Sequence, residues 1–105
     1  MAYSKKELFS SHEVEISKIA KALSHPARVK ILNILVDMNV CMCGDIVELL
    51  PLSQSTVSQH LKELKLAGLV KGEIDGPKVC YCIDTKAINK AKKLIDKLLS
   101  NVCKC

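Results

Sequence analysis

Six cysteines fall in three Cys-x-Cys pairs, Cys41/Cys43, Cys80/Cys82 and Cys103/Cys105. Thiolates are soft donors, suited to thiophilic ions such as arsenite, cadmium, lead, zinc or copper(I), and unsuited to magnesium or calcium. The three histidines, His12, His25 and His60, are far apart in sequence, so thiols are the main ligand set. Cys41 and Cys43 with one further cysteine would serve arsenite or antimonite; two complete pairs would suit four-coordinate zinc, or cadmium or lead. The same thiols could instead close a disulfide in a redox or sulfide sensor.

Spacing constrains how each pair could act. Residues two apart on a helix point about 200° away from each other, so a helical pair cannot easily grip one ion. Cys41 and Cys43 stand where a third helix should begin, and binding there is expected to need its first turn extended or unwound. A helix N-terminus would also favour thiolate over thiol. Residues two apart on a strand share a face, so Cys80 and Cys82 form a preorganised pair if they lie on a strand. That face could be a ligand set or simply packing. Cys103 and Cys105 are expected on a mobile tail with easy reach.

The elements that must position these thiols are legible from apolar periodicity. A first helix is expected over 5–23, carrying Leu8, Val14, Ile16, Ile19, Ala20 and Leu23. Ser24 should cap a second helix with Pro26 in its first turn, bearing Val29, Ile31, Leu32, Ile34 and Leu35. Gly44 to Pro51 reads as a short third helix stopped by its proline. The next segment has Ser53 as N-cap, Val57, Leu61 and Leu64 on one face and Gly68 as its stop. Its other face carries Gln54, Ser55, Ser58, Gln59 and Lys62. Residues 45–67 therefore form a helix-turn-helix, a layout whose second helix enters the major groove. Over 69–83, two short strands around Asp75-Gly-Pro77 form a wing, whose Lys71 and Lys78 would follow phosphates without reading sequence. Residues 86–100 are expected to form a last helix, and 101–105 the cysteine-bearing tail.

Bulk properties agree. At 105 residues the chain is one domain, 1–105, small enough that burial against a partner is plausible. Apolar residues make up 49%, yet there is one Phe, two Tyr and no Trp, so base stacking on aromatic side chains is not expected. The net charge of +5 favours a polyanionic partner only alongside a motif. No signal peptide or membrane span is expected, and a cytoplasmic location follows. In that reducing compartment paired cysteines point to metal or redox chemistry before structural disulfides. No Cys-x-x-Cys and no nucleophile, base and acid together are found, so an enzyme is not expected.

From about Ala20 to Ile83 the chain resembles the ArsR/SmtB family of winged-helix metalloregulatory repressors. Ser24-His-Pro-Ala-Arg-Val-Lys-Ile-Leu resembles its second-helix opening, Val40-Cys-Met-Cys-Gly-Asp-Ile its cysteine box, and Leu52 to Leu64 its recognition segment. Ala67-Gly-Leu-Val-Lys and Gly76-Pro-Lys-Val-Cys-Tyr-Cys-Ile resemble its wing. The resemblance implies a mainly α (α+β) winged helix-turn-helix of about five helices with a two-stranded wing. It implies a homodimer, formed by first and last helices, on a palindromic double-stranded operator that it leaves when an inducer binds, with no cofactor required. Ser55, Thr56, Ser58, Gln59 and His60 fall in the recognition helix, and with Ser53, Gln54, Lys62, Lys71 and Lys78 they complete the expected DNA-binding set. Cys41 and Cys43 fall on the thiol box. The box here lacks a further cysteine at positions 44–47, and the last helix lacks histidine, so the family's zinc site on that helix is not expected. The resemblance favours arsenite or antimonite as inducer, with Cys80, Cys82, Cys103 and Cys105 as candidate third ligands.

Overall fold

The computed structural model describes the backbone of residues 8–38, 41–42, 45–75 and 78–103, and the side chains of all of these except 38, 45 and 73–79. Helix α1 spans Ser11–Ala22. It starts at a reciprocal cap: Glu13 N–H donates to Ser10 Oγ at 3.2 Å and Ser10 N–H to Glu13 Oε1 at 2.9 Å. This Ser-x-x-Glu box satisfies two otherwise orphaned donors, which is why the helix begins there and does not run unbroken through Phe9. The expected start at residue 5 lies outside the described residues.

Helix α2 spans Pro26–Met38. Its cap is His25 and not Ser24: the Ala27 N–H donates to His25 Nδ1 at 3.0 Å. With Pro26 in the first helical position, the capping residue is the one just before it. The Ser24 hydroxyl instead turns back to the end of α1, donating to the Lys21 carbonyl at 2.6 Å.

Two helices follow, α3 at Asp45–Glu48 and α4 at Gln54–Leu66. Ser53 caps α4 as expected, accepting from Thr56 N–H at 3.3 Å. At its other end the Gly68 N–H reaches Lys65 O at 2.9 Å and the Leu69 N–H reaches Leu64 O at 3.1 Å. These two bonds form a Schellman motif, which needs a left-handed residue; Gly68 supplies it with φ of 82°.

Strands β1 (Val70–Asp75) and β2 (Lys78–Ile83) pair antiparallel, from Val70 opposite Ile83 to Asp75 opposite Lys78. The expected turn residues Gly76 and Pro77 lie outside the described residues. Helix α5 spans Thr85–Val102, begun by Asp84, whose side chain accepts from Ala87 N–H at 3.1 Å. It therefore runs two residues past the expected end at 100, and Cys103 is its C-cap residue, not part of a free tail.

The core is aliphatic, as the shortage of aromatics requires. Ile31 and Leu35 of α2, Ile46 of α3, Val57, Leu61 and Leu64 of α4, and Leu69 and Val70 entering the wing are all buried together. Helix α1 packs against α5, adding Ile19, Ala22 and Ala91. The outer ends of this helix pair leave Phe9, Leu98, Leu99 and Val102 exposed. Among the described residues no helix is long and apolar enough to cross a membrane.

Candidate nucleic-acid interface and thiol site

Helix α4 sorts its residues as the i, i+4, i+7 spacing predicts. Val57, Leu61 and Leu64 are buried against α2 and β1, while Gln54, Ser55, Thr56, Ser58, Gln59 and Lys62 face outward. Not all of these side chains are equally free. Ser53 Oγ lies 2.9 Å from Thr56 Oγ1 and 3.2 Å from Ser55 Oγ, so the first turn holds a local hydroxyl cluster. Gln59 Nε2 stands 3.5 Å from Glu63 Oε1, a long and weak hydrogen bond. Lys71 on β1 is exposed, and the side chain of Lys78 lies outside those described.

His60 is placed differently from its helical neighbours. It is only 8% exposed and turned inward. Its Nδ1 accepts a hydrogen bond from Arg28 Nε at 3.2 Å, and its ring centre lies 4.4 Å from that of His25. Burial lowers its pKa below the ordinary value, and the His25 and Arg28 charges push the same way. His25 and Arg28 open α2 while His60 lies in α4, and no local periodicity signals their meeting.

The thiols are gathered by a pairing that periodicity does not reveal. Met42 makes an isolated antiparallel bridge with Tyr81: Met42 N–H donates to Tyr81 O at 2.8 Å and Tyr81 N–H to Met42 O at 2.7 Å. One residue back along the first stretch and one forward along β2, Cys41 stands opposite Cys82. Their Cα atoms are 4.4 Å apart, the spacing of a non-hydrogen-bonded antiparallel pair, and the two residues are joined as a disulfide. Cys80 is disulfide-bonded as well. Both Cys80 and Cys82 are buried, so the cysteine face of β2 is the inward one, with Tyr81 half-buried on the other.

This corrects one expectation. Cys41 does not sit in the first turn of the third helix; it precedes α3 in an extended stretch laid along β2. Reaching Cys82 thus requires no unwinding of a helix. The reason is competition for backbone partners: β1 covers only one edge of β2, and residue 42 gains two strand hydrogen bonds on the other. Cys103, exposed and unbonded at the end of α5, does not belong to this group. Cys43 and Cys105 lie outside the described residues. Among the described residues no three His, Cys, Asp or Glu side chains converge in a metal-holding cluster.

A cavity of about 380 Å³ opens beside the Cys41–Cys82 pair, walled by Leu35 and Val36 of α2, Ile83 of β2 and Ile88 of α5. Cys41 itself is exposed. The pair is therefore reachable from solvent on one side and joined to the core on the other, where its wall is the helix that supports α4. Chemically, it can accept a soft ion once reduced, or exchange between dithiol and disulfide.

Residues 25–71 match the family model described as bacterial regulatory protein, arsR family. The chain is 34% identical over 94 residues to the cadmium resistance transcriptional regulatory protein CadC homolog of Staphylococcus aureus, covering 89% of this chain and 74% of that protein. It is 34% identical over 82 residues to the arsenical resistance operon repressor of Staphylococcus xylosus, covering 78% of each. Among solved structures, HlyU from Vibrio cholerae N16961 superposes with a TM-score of 0.67 at 28% identity, over 90% of this chain and 99% of that one. The two staphylococcal relatives are regulators of transcription and not enzymes. With its buried helix-turn-helix scaffold, polar outward helix and two-stranded wing, the chain belongs to the ArsR family of DNA-binding transcriptional regulators.

Proposed function

We propose that this regulator is a homodimeric repressor that releases its operator when a thiophilic inducer engages Cys41 and the β2 thiols. The observation that carries the reading is the Met42–Tyr81 bridge, which brings Cys41 within bonding distance of Cys82 while Cys80 shares the face of β2. In the reduced protein Cys41, Cys80 and Cys82 supply soft donors to an ion, with Cys43 as a further thiol one residue from Met42 in sequence. Trivalent arsenic or antimony is the preferred inducer, because three thiolates satisfy it; the arsenical-resistance relative supports this. Cadmium is the competing choice, supported by the cadmium-resistance relative.

The route to DNA is mechanical. The thiol site ties the stretch before α3 to the wing, and both flank α4. Tightening or reorganising it shifts α3 and β2 relative to α4, and in a dimer this changes the spacing of the two recognition helices. The exposed Phe9, Leu98, Leu99 and Val102 beside α1 and α5 are the apolar surface for that dimer. A coupling of about 1–3 kcal/mol between sites lowers operator affinity roughly 5- to 150-fold.

The test is operator binding followed by fluorescence anisotropy with reduced wild type and the Cys41→Ser, Cys82→Ser and Cys103→Ser variants, each titrated with arsenite and with cadmium. Release of wild type and of Cys103→Ser, lost in Cys41→Ser and Cys82→Ser, is the expected pattern. No release by either ion would end the metal reading. A second reading is favoured by the disulfide itself: Cys41 and Cys82 lose two electrons and two protons to an oxidant such as a peroxide, and the bond sets the DNA-bound or DNA-free geometry. Operator affinity that changes with peroxide and recovers with dithiothreitol in the metal-free protein would favour it.

A further inference from the structure

Arg28 touches three elements at once. From the first turn of α2 its Nη1 donates to the Lys21 carbonyl at 2.9 Å and lies 3.5 Å from the Ala22 carbonyl, both at the end of α1. Its Nε donates to His60 Nδ1, 3.2 Å away, in the middle of α4. The guanidinium thus adds a donor at the end of α1, where the Lys21 carbonyl also accepts from Ser24, and sets a cation at the negative end of the helix dipole. The same rigid fork grips the inner side of the helix whose outer side carries Gln54, Ser55, Ser58 and Gln59.

Apolar packing holds α4 to the core through Val57, Leu61 and Leu64, and such packing is non-directional. A hydrogen bond through a planar guanidinium is directional, so it resists rotation of α4 about its axis in a way that aliphatic contacts do not. Lysine cannot reproduce this grip, because its ammonium is a single point on a flexible stem.

We propose that Arg28 is a positioning residue for DNA recognition, clasping His60 so that the reading face of α4 keeps a fixed orientation relative to α1. This rests on the family's DNA binding and on no property of the inducer site. Because α1 belongs to the proposed dimer surface, the clasp sets how the two recognition helices are spaced and angled, and so which half-site separation fits. It also requires Nδ1 of His60 to carry a lone pair, since a doubly protonated imidazole has none to offer. The charged and titratable groups facing His60 are His25 and Arg28 from the start of α2.

The experiment uses a duplex selected by the wild-type protein from a random double-stranded pool, and variants of it with the half-sites moved apart by one base pair. Anisotropy is recorded from pH 7.5 to 5.5 for wild type, Arg28→Lys and His60→Asn, with melting temperatures as a folding control. The asparagine amide oxygen takes the place of Nδ1 as acceptor and does not titrate. Arg28→Lys should bind about tenfold more weakly and lose preference for the original spacing. Relative to its own affinity at pH 7.5, His60→Asn should show a smaller fall in affinity toward pH 5.5 than wild type does. Arg28→Lys within twofold of wild type with spacing preference intact, or His60→Asn titrating as wild type does, overturns the proposal. If Arg28→Lys fails to fold, the His60→Asn pH profile decides alone. A wild type that enriches no duplex rejects the proposal along with the DNA-binding premise, whereas loss of arsenite or cadmium response bears only on the inducer site.

Discussion

Met42 and Tyr81 exchange two backbone hydrogen bonds, 2.8 and 2.7 Å long, and through them a residue between two cysteines on one stretch faces a residue between two cysteines on another. An antiparallel pairing of this kind carries the neighbours of each residue against each other. The Cys41–Cys82 bond is the described consequence.

Thiol reactivity should separate the cysteines by this geometry. In protein isolated without reductant, brief iodoacetamide treatment should label Cys103 and leave Cys41, Cys80 and Cys82 unlabelled. After reduction, Cys41 should react before Cys80 and Cys82, because it is exposed while they are buried. Peptide mass mapping reads the order directly, and early labelling of Cys82 in unreduced protein would contradict the pairing.

DNA contacts should divide by element. Ser55→Ala or Gln59→Ala should change preference among operators by roughly 1–3 kcal/mol at one or two base pairs, the effect expected of outward side chains on the second helix of a helix-turn-helix. Lys71→Ala should weaken binding to all duplexes alike and reduce the slope of log K against log salt by about 1. Salt titrations on selected and scrambled duplexes distinguish the two, and a sequence-selective Lys71 effect would reverse the assignment.

Gly68→Ala should destabilise the protein by about 1–2 kcal/mol, since it places a side chain at φ of 82°. Nothing lies within 4 Å of an added Cβ, so the whole cost is backbone strain and no clash contributes. Urea unfolding should show a lower midpoint with an unchanged slope.

Stability should decline on mild acidification. Burial, with the neighbouring His25 and Arg28 charges, disfavours the protonated form of His60 in the folded state, so the unfolded chain binds its proton more readily. The contribution of neutral His60 is therefore complete above the unfolded value of about 6.5 and is lost as pH falls through the lower folded value. Urea midpoints measured from pH 7.5 to 5.5 should drop for wild type, and the drop should be smaller in His60→Asn. Equal drops in both would assign the acid sensitivity to other groups.

Much of this architecture was legible from local pattern. The burial of Val57, Leu61 and Leu64 against an outward polar face, the Ser53 cap and the Gly68 stop follow from helical period and from terminal backbone chemistry, which are encoded within a few residues. The two strands of the wing follow likewise from two short β-rich runs around an expected turn. Capping geometry was less visible where two residues compete, as Ser24 and His25 do, because the position of Pro26 decides between them.

What sequence alone determined was the helix-turn-helix, the wing and the presence of soft thiol chemistry. Only the tertiary structure decided which thiols meet and which residue partners the inward His60. Cys41 and Cys82 are 41 positions apart, and their meeting depends on the second edge of β2 capturing the stretch before α3. His60 lies three residues after Val57 and four before Leu64, so the helical period sets it beside the buried face without naming its partner. Its partner there is Arg28, 32 positions earlier, which bridges the end of α1 to its ring. Such long-range partners leave no trace in a local period, because their energy arises only once the chain has folded back on itself.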